Sequence, residues 1–342
     1  MRKLVSMALA LLFTLSVLTI PAMAETESDD GGAVGYLSFI NLSEEDNEVR
    51  REAEIPAYRY LIEHGVMEFD GQGIIQAKST FYDSLDAMLM GLTSGEVTAL
   101  NVPDCTAKYL CAENDQVKQK TLYHPEKAEG FAQDLIGALC NGYSFMMLEE
   151  NSDLRDQFDQ AIDEMKADGT LDELIQTYIT DVAGNGEPEA IEFEKFEGEP
   201  IKVAITGSLP PMDYVAADGT PAGFNTAVLA EIGKRLKKNI ELVQVDSVGR
   251  ALALSQGNVD VVFWTRGMPE RILSEDNSSM SKEEFEIYLQ EKRKNATEEE
   301  ITIMDTLNET LPNEVFRNRD MPEGTVTTNP YYSDLNVLVT LK

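Results

Sequence analysis

Apolar positions along this chain recur at two spacings, and the spacing changes block by block. Residues 34–40 (VGYLSFI) read as a strand. Residues 52–64 read as a helix with Ile55, Tyr58, Leu61 and Ile62 on one face. Residues 74–81 form a second strand candidate. Ser84 is placed to cap a helix carrying Leu85, Met88, Leu89 and Leu92, which stops at Ser94-Gly95. A short buried strand follows at 97–102, a helix starts over 104–111, and 143–148 (YSFMML) is a strong strand candidate. The clearest helix covers 154–165, where Leu154, Phe158, Ala161, Ile162 and Met165 share one face and Gly169 ends the run. Thr170 and Glu173 then read as a capping box for a helix with Leu171, Leu174, Ile175 and Tyr178 on its apolar side.

Gly, Pro and acids dominate residues 184–199 (GNGEPEAIEFEKFEGE), which read as a linker. A second series begins after it. Strands are expected at 201–206, 240–245 and 259–264, helices at 226–236 and 250–255, and a turn at Asp218-Gly219. Residues 274–323 are highly charged, with helical patterns at 281–294 and 297–309, and read as an inserted helical excursion. Strands at 325–328 and 337–341 close the chain. Alternating strands and helices predict an α/β fold with mostly parallel sheets. Residues 87–97 and 249–259 repeat one pattern, an apolar helix ending in Gly and running straight into a strand. That repeat predicts two lobes of similar topology facing a cleft, the usual place for a small ligand.

The first 24 residues fall outside this pattern. Arg2 and Lys3 precede an apolar run at 4–20, and Pro21-Ala22-Met23-Ala24 supplies small residues at the A-x-A positions. This is the pattern of a secretory signal peptide; the alternative is a retained membrane anchor. Residues 25–33 read as a leader. The 28 Lys and Arg against 61 Asp and Glu give a net charge of −33, which disfavours nucleic acid and anionic lipid as partners. The three cysteines, Cys105, Cys111 and Cys140, leave at least one free thiol; Cys105 and Cys111 have the option of pairing. His64 and His124 lack metal-ligand spacing, and no nucleophile elbow or phosphate loop is present, so neither a metal nor a cofactor is implied.

Residues 201–264 resemble the opening lobe of the family 3 extracellular solute-binding proteins, the amino-acid-binding components of ABC importers. Pro210-Pro211-x-Asp213-Tyr214, Asp218-Gly219-x-Pro221-x-Gly223-Phe224 and Asn329-Pro330-Tyr331-Tyr332 stand where that family has similar phrases. Residues 34–180 look like its other lobe, through Tyr82-Asp83-Ser84, Leu92-x-Ser94-Gly95-x-Val97 and the ADGTLDELIQTYI stretch. The resemblance implies a two-lobed, type II periplasmic-binding-protein fold. The family runs first lobe, second lobe, closing helices. Here the second-lobe-like unit with its closing helices (34–183) comes first and the first-lobe-like unit (200–342) last, the order of a circular permutation.

The resemblance also implies a ligand and a site. An amino acid needs an Arg for its carboxylate and an acid for its ammonium. Arg271 matches the family's T-x-x-R arginine, although Met268 replaces its Thr, and Arg266 is the substitute. Leu209 stands where the family often has a stacking aromatic; Tyr214, Phe263 and Trp264, with Thr265 beside them, offer another wall. Asp104 lies one residue from the expected amino-binding acid, and Asn41 and Ser43 lie in a donor loop. The implied function is an exported, non-catalytic binder of a small polar solute, periplasmic or extracellular, working with an ABC permease or a membrane sensor. The alternatives are an enzyme resembling cyclohexadienyl dehydratases and a sensory or interaction module of the same fold.

Overall fold

The computed structural model describes residues 32–37, 44–69, 78–183, 191–216, 219–245, 249–266, 282–310 and 324–342. The chain begins with β1 (Val34–Leu37), α1 (Glu44–Glu63), β2 (Met67–Phe69), β3 (Ser79–Tyr82), α2 (Leu85–Ser94), β4 (Ala99–Pro103) and α3 (Asp104–Glu113). Then come β5 (Val117–Gln119), β6 (Thr121–Tyr123), α4 (Phe131–Leu139), β7 (Asn141–Leu148), α5 (Ser152–Asp168), α6 (Thr170–Ile175) and α7 (Asp181–Ala183). The second series is β8 (Ile201–Ile205), β9 (Ser208–Leu209), β10 (Asp213–Val215), β11 (Pro221–Ala222), α8 (Phe224–Leu236), β12 (Ile240–Gln244), α9 (Gly249–Ser255) and β13 (Val261–Arg266). It ends with α10 (Lys282–Asn295), α11 (Glu298–Thr310), β14 (Thr325–Thr327), β15 (Tyr332–Asp334) and β16 (Asn336–Leu341).

Two mixed sheets organise these elements. Sheet I has the order β3-β1-β4-β16-β5, with β1 parallel to β3 and β4 and β16 antiparallel to its neighbours. Sheet II has the order β12-β8-β13-β7-β14, with β8 parallel to β12 and β13 and β7 antiparallel to β13; β15 also pairs with β7. The plan is the same in both. The first strand lies between the second and third, and an antiparallel strand from the other series comes next. The two halves of the repeat, α2 into β4 and α9 into β13, occupy equivalent positions in the two sheets.

Local chemistry explains the boundaries. The Ser84 Oγ accepts from Ala87 N at 3.2 Å, and Gly95 closes α2 at φ 79°. Helix α5 runs longer than its apolar face and ends at Gly169, φ 84°. The capping box expected at Thr170 and Glu173 does not form. Gly169 serves both helices, Thr170 already lies in α6, and its hydroxyl accepts from Arg235 Nη2 at 3.0 Å. A capping box does form in the charged segment. Thr297 N donates to Glu300 Oε2 at 2.7 Å and Glu300 N donates to Thr297 Oγ1 at 3.2 Å. The option of a Cys105–Cys111 disulfide is not taken: both lie on α3, and none of the three cysteines is in a disulfide.

The largest core lies where α5 and α8 cover sheet II, around Tyr143, Phe145, Phe158, Phe224 and Phe263. Each such side chain contributes about 1.5–3 kcal/mol on burial. Helices α2 and α3 cover sheet I over Leu100, Val102, Val337 and Val339. The excursion between β13 and β14 returns to the sheet I lobe. Ile303, Met304 and Leu307 of α11 are buried with Ala57 and Leu61 of α1 and Leu135 of α4. Glu300 Oε1 also accepts from Tyr60 Oη at 2.7 Å, and Lys292 pairs with Asp134 at 2.7 Å. No helix among the described residues is long and apolar enough to cross a membrane.

Candidate functional site

In an open parallel sheet, ligands gather beyond the carboxyl ends of the strands, beside the point where the strand order reverses. In sheet I that point lies at β1 and β4, and in sheet II at β8 and β13. Asn41 and Ser43 follow β1 in sequence, Asp104 follows β4, Leu209 follows β8, and Arg266 and Arg271 end or follow β13. Asn41, Ser43 and Arg271 lie outside the described residues, as do residues 1–31 with the signal pattern. Trp264, Thr265 and Arg266 extend β13, opposite Ser144, Tyr143 and Gly142 of β7.

The loop after β8 is held by a carboxylate. Asp213 is fully buried, and its Oδ2 accepts from Thr206 N at 2.6 Å and Thr206 Oγ1 at 2.9 Å, while Oδ1 accepts from Gly207 N at 3.1 Å. Burial pushes its carboxyl up; the bonds from Thr206 and Gly207, and the charge of Arg250, pull it down, and burial prevails. Gly207 has φ 71°, and a Cβ there would meet Gln244 and Val215 at 2.9 Å. Helix α8 fastens the far end of the loop: Phe224 N donates to Pro211 O at 2.9 Å and Asn225 N to Met212 O at 2.8 Å. Gly223 lets them approach, since a Cβ there would lie 2.6 Å from Met212 O. Within this frame Leu209 is buried in the main core and Phe263 stacks on Tyr143 at 5.6 Å between ring centres. Tyr214 is half-buried and faces Tyr109 of α3 across the two lobes at 6.0 Å. Burial pushes the Tyr214 hydroxyl up to about 12, which leaves it a neutral hydrogen-bond donor.

On the sheet I side, Asp104 is 4% exposed and already engaged. Lys108 Nζ lies 2.5 Å from its Oδ2, and Gln119 Nε2 donates to its Oδ1 at 2.8 Å. A solute ammonium must share that carboxylate with Lys108. The start of α3 has Pro103 at its cap position, with no side chain able to accept from the helix. The missing acceptor comes from the segment crossing between the sheets. Asp334 ends β15 in sheet II, and its Oδ2 accepts from Cys105 N at 2.7 Å while Oδ1 accepts from Leu335 N at 2.9 Å. Two residues later the chain is β16 in sheet I. Burial first, and then the charge of Asp104, push the Asp334 carboxyl up to about 7, against the two N–H bonds.

Arg250 is the residue that sequence reasoning missed on the sheet II side. It is 3% exposed in the first turn of α9, and its Nη1 donates to Phe263 O at 2.9 Å. Its position in the repeat gave no signal, because the equivalent residue in the other copy is Met88. A buried guanidinium beside β13 was visible only once α9 was placed.

A family model described as bacterial extracellular solute-binding proteins, family 3, matches residues 201–311 and leaves residues 34–183 outside the match. No curated protein matches the chain. Among solved structures, the ligand-binding component of an ABC-type import system from Staphylococcus aureus is 10% identical; the alignment covers 90% of this chain and 65% of that one, with a TM-score of 0.34. A phosphate-binding protein of a phosphate ABC transporter from Streptococcus pneumoniae is 11% identical, with 91% and 88% covered and a TM-score of 0.30. An ABC transporter structure from Parabacteroides distasonis is 9% identical, with 91% and 65% covered and a TM-score of 0.30. Residues 201–311, which include the Asp213-held loop and the β8 and β13 strand ends, are similar to the bacterial extracellular solute-binding proteins, family 3.

Proposed function

We propose that the protein is an exported solute-binding protein that closes two lobes on a small polar solute, an amino acid or a related compound, and presents it to an ABC permease or a membrane sensor. The observation that supports this most is the Asp213-held loop, set at the strand ends of a segment that matches the solute-binding family. In this reading Arg271 or Arg266 clamps the solute's acidic group, and Arg250 supplies fixed positive charge beside β13. Tyr214, with Trp264 and Thr265 nearby in sequence, forms one wall. Asp104, Asn41 and Ser43 close from the other lobe, while Leu209 and Phe263 back the site from the core.

We also propose that the lobes are circularly permuted, with 34–183 and 200–342 as the two units, 184–199 as their join and 274–323 as the insert. Two features support it: the shared strand order, and the exchange of β7 and β16 between the sheets. Thr98 adds a third, because its N donates to Ala33 O at 2.8 Å while its O accepts from Thr340 Oγ1 at 3.1 Å. The first and last strands therefore flank β4 on its two sides in sheet I. Export follows from the 1–24 pattern; mass spectrometry of secreted material that starts at Met1 would overturn cleavage and favour an anchor.

A thermal-shift screen over amino acids and related solutes tests the binding role. A true ligand at 100 times its dissociation constant adds about 2.7 kcal/mol of stability. If no solute raises the melting temperature, the binder reading fails and the interaction-module reading gains. Turnover of a prephenate-like substrate would favour the enzyme instead. With a ligand in hand, Arg271→Ala or Arg266→Ala should weaken binding by about 2–5 kcal/mol, roughly 30- to 4000-fold. Wild-type affinity in both folded variants would remove the clamp.

A further inference from the structure

The crossing segment and α3 share one buried acidic junction. Asp104 N donates to Leu335 O at 3.0 Å, and the next amide, Cys105 N, donates to the Asp334 carboxylate at 2.7 Å. Two carboxylates therefore meet at one helix start. Both are nearly sealed, Asp104 at 4% and Asp334 at 5% exposure. Among the described residues, the ammonium paired with them is that of Lys108, 2.5 Å from Asp104 Oδ2. The groups around Asp334 come from several elements: Asp104, Cys105 and Lys108 from α3, Tyr123 from β6, Tyr143 from β7, and Tyr332 from its own strand. Burial raises the Cys105 thiol and the three phenols, so they remain uncharged. Asp104, Asp334 and Lys108 carry the charge of the junction. Burial and the neighbouring Asp104 charge favour keeping a proton on Asp334.

The junction also lies where the molecule must bend if the lobes move. Asp334 pairs with Asn141 of β7, and these two residues stand at the two passages between the sheets. We propose that Asp334 is a proton-operated latch: protonated, it holds the start of α3 against the crossing segment, and ionised, it drives them apart and frees the lobes to open. A protonated carboxyl still accepts from Cys105 N and no longer repels Asp104. An ionised one gains hydration by leaving. The latch rests on the two-lobed architecture alone, and its test uses no solute, so its failure leaves the binding role standing.

The test is amide hydrogen exchange of the peptides spanning 100–110 and 331–338 between pH 5 and 8.5, corrected for the intrinsic pH dependence of exchange. Wild type should lose protection at Cys105 and Leu335 above neutral pH, by up to about tenfold per pH unit, the slope a single proton allows. Asp334→Asn should show no titration. Asp104→Asn removes the charge that raises the Asp334 carboxyl and should move the loss to lower pH; an unmoved midpoint, or one moved to higher pH, means that the two acids are not coupled as the latch requires and overturns it. Protection in wild type that is flat with pH, or the same titration in folded Asp334→Asn, overturns it as well. A purely structural cap would lower protection equally at every pH in Asp334→Asn and leave wild type flat.

Discussion

The two sheets share one strand order but secure the loops at their strand ends by different means. In the sheet II lobe the loop after β8 is fixed from within: Asp213, Thr206 and Gly207 all belong to a stretch of eight residues. In the sheet I lobe the start of α3 is fixed from outside, by an acid 229 residues away on the crossing segment. One edge is therefore held by its own loop, and the other by the segment that crosses between the sheets. Under the closure proposed above, the sheet II lobe would serve as the platform and the sheet I lobe as the part whose local structure reports on closure.

The strongest test of that contrast is pH. Asp334 titrates at about 7 in the folded protein and near 3.8 as an ordinary aspartate. Between those values the folded state keeps a proton that the unfolded chain has released. Stability from this group is therefore greatest below pH 4 and falls as pH rises to 7, by up to about 4 kcal/mol. Urea titrations from pH 4.5 to 8 should show the fall, and Asp334→Asn should flatten it. A fall of the same size in the variant would place the titration elsewhere. Next in size is Asp213→Ala, which strands the buried amides of Thr206 and Gly207 and should cost about 3 kcal/mol. Its exchange damage should stay within 206–215 and spare α3; spread to the crossing segment would break the idea of a self-contained edge. Ser84→Ala removes a cap that α2 owns and should cost about 1 kcal/mol with no pH dependence. The smallest effect belongs to the pair that spans the lobes. A double-mutant cycle on Tyr109→Leu and Tyr214→Leu should return a coupling of about 0.5 kcal/mol. A coupling of zero would mean that the rings are neighbours without holding the lobes.

Long periodic stretches were legible in the sequence. The helices expected at 281–294 and 297–309 appear as α10 and α11, each within about a residue, because charge and apolar spacing both mark them. Helix α4 was missed, although its apolar face is strong. Gly130 at its start supplies no side-chain cap, so the usual entry signal is lacking. Strands β9, β10, β11 and β15 have two or three residues each, too few to display a period; their pairing partners define them. Asp213 was legible as part of a phrase, but its role in holding Thr206 was not. Asp334 was invisible, since nothing near Ser333 or Leu335 suggests a helix more than two hundred residues earlier. Thr170 misled, because an Arg in a distant helix claimed its hydroxyl.

The exchange of β7 and β16 makes each half of the chain an unfinished object. Sheet II without β7 has β13 as a bare edge, and sheet I without β16 separates β4 from β5. The apolar side of α11, with Ile303, Met304 and Leu307, likewise has its cover in the other half. Neither half is a module that evolution or an engineer could lift out and express alone. In the permuted reading, the same interlocking should hold the two halves together without the 184–199 join as a covalent link. A molecule nicked there by a protease inserted-site cut should stay one particle on a sizing column and refold only when both pieces are mixed.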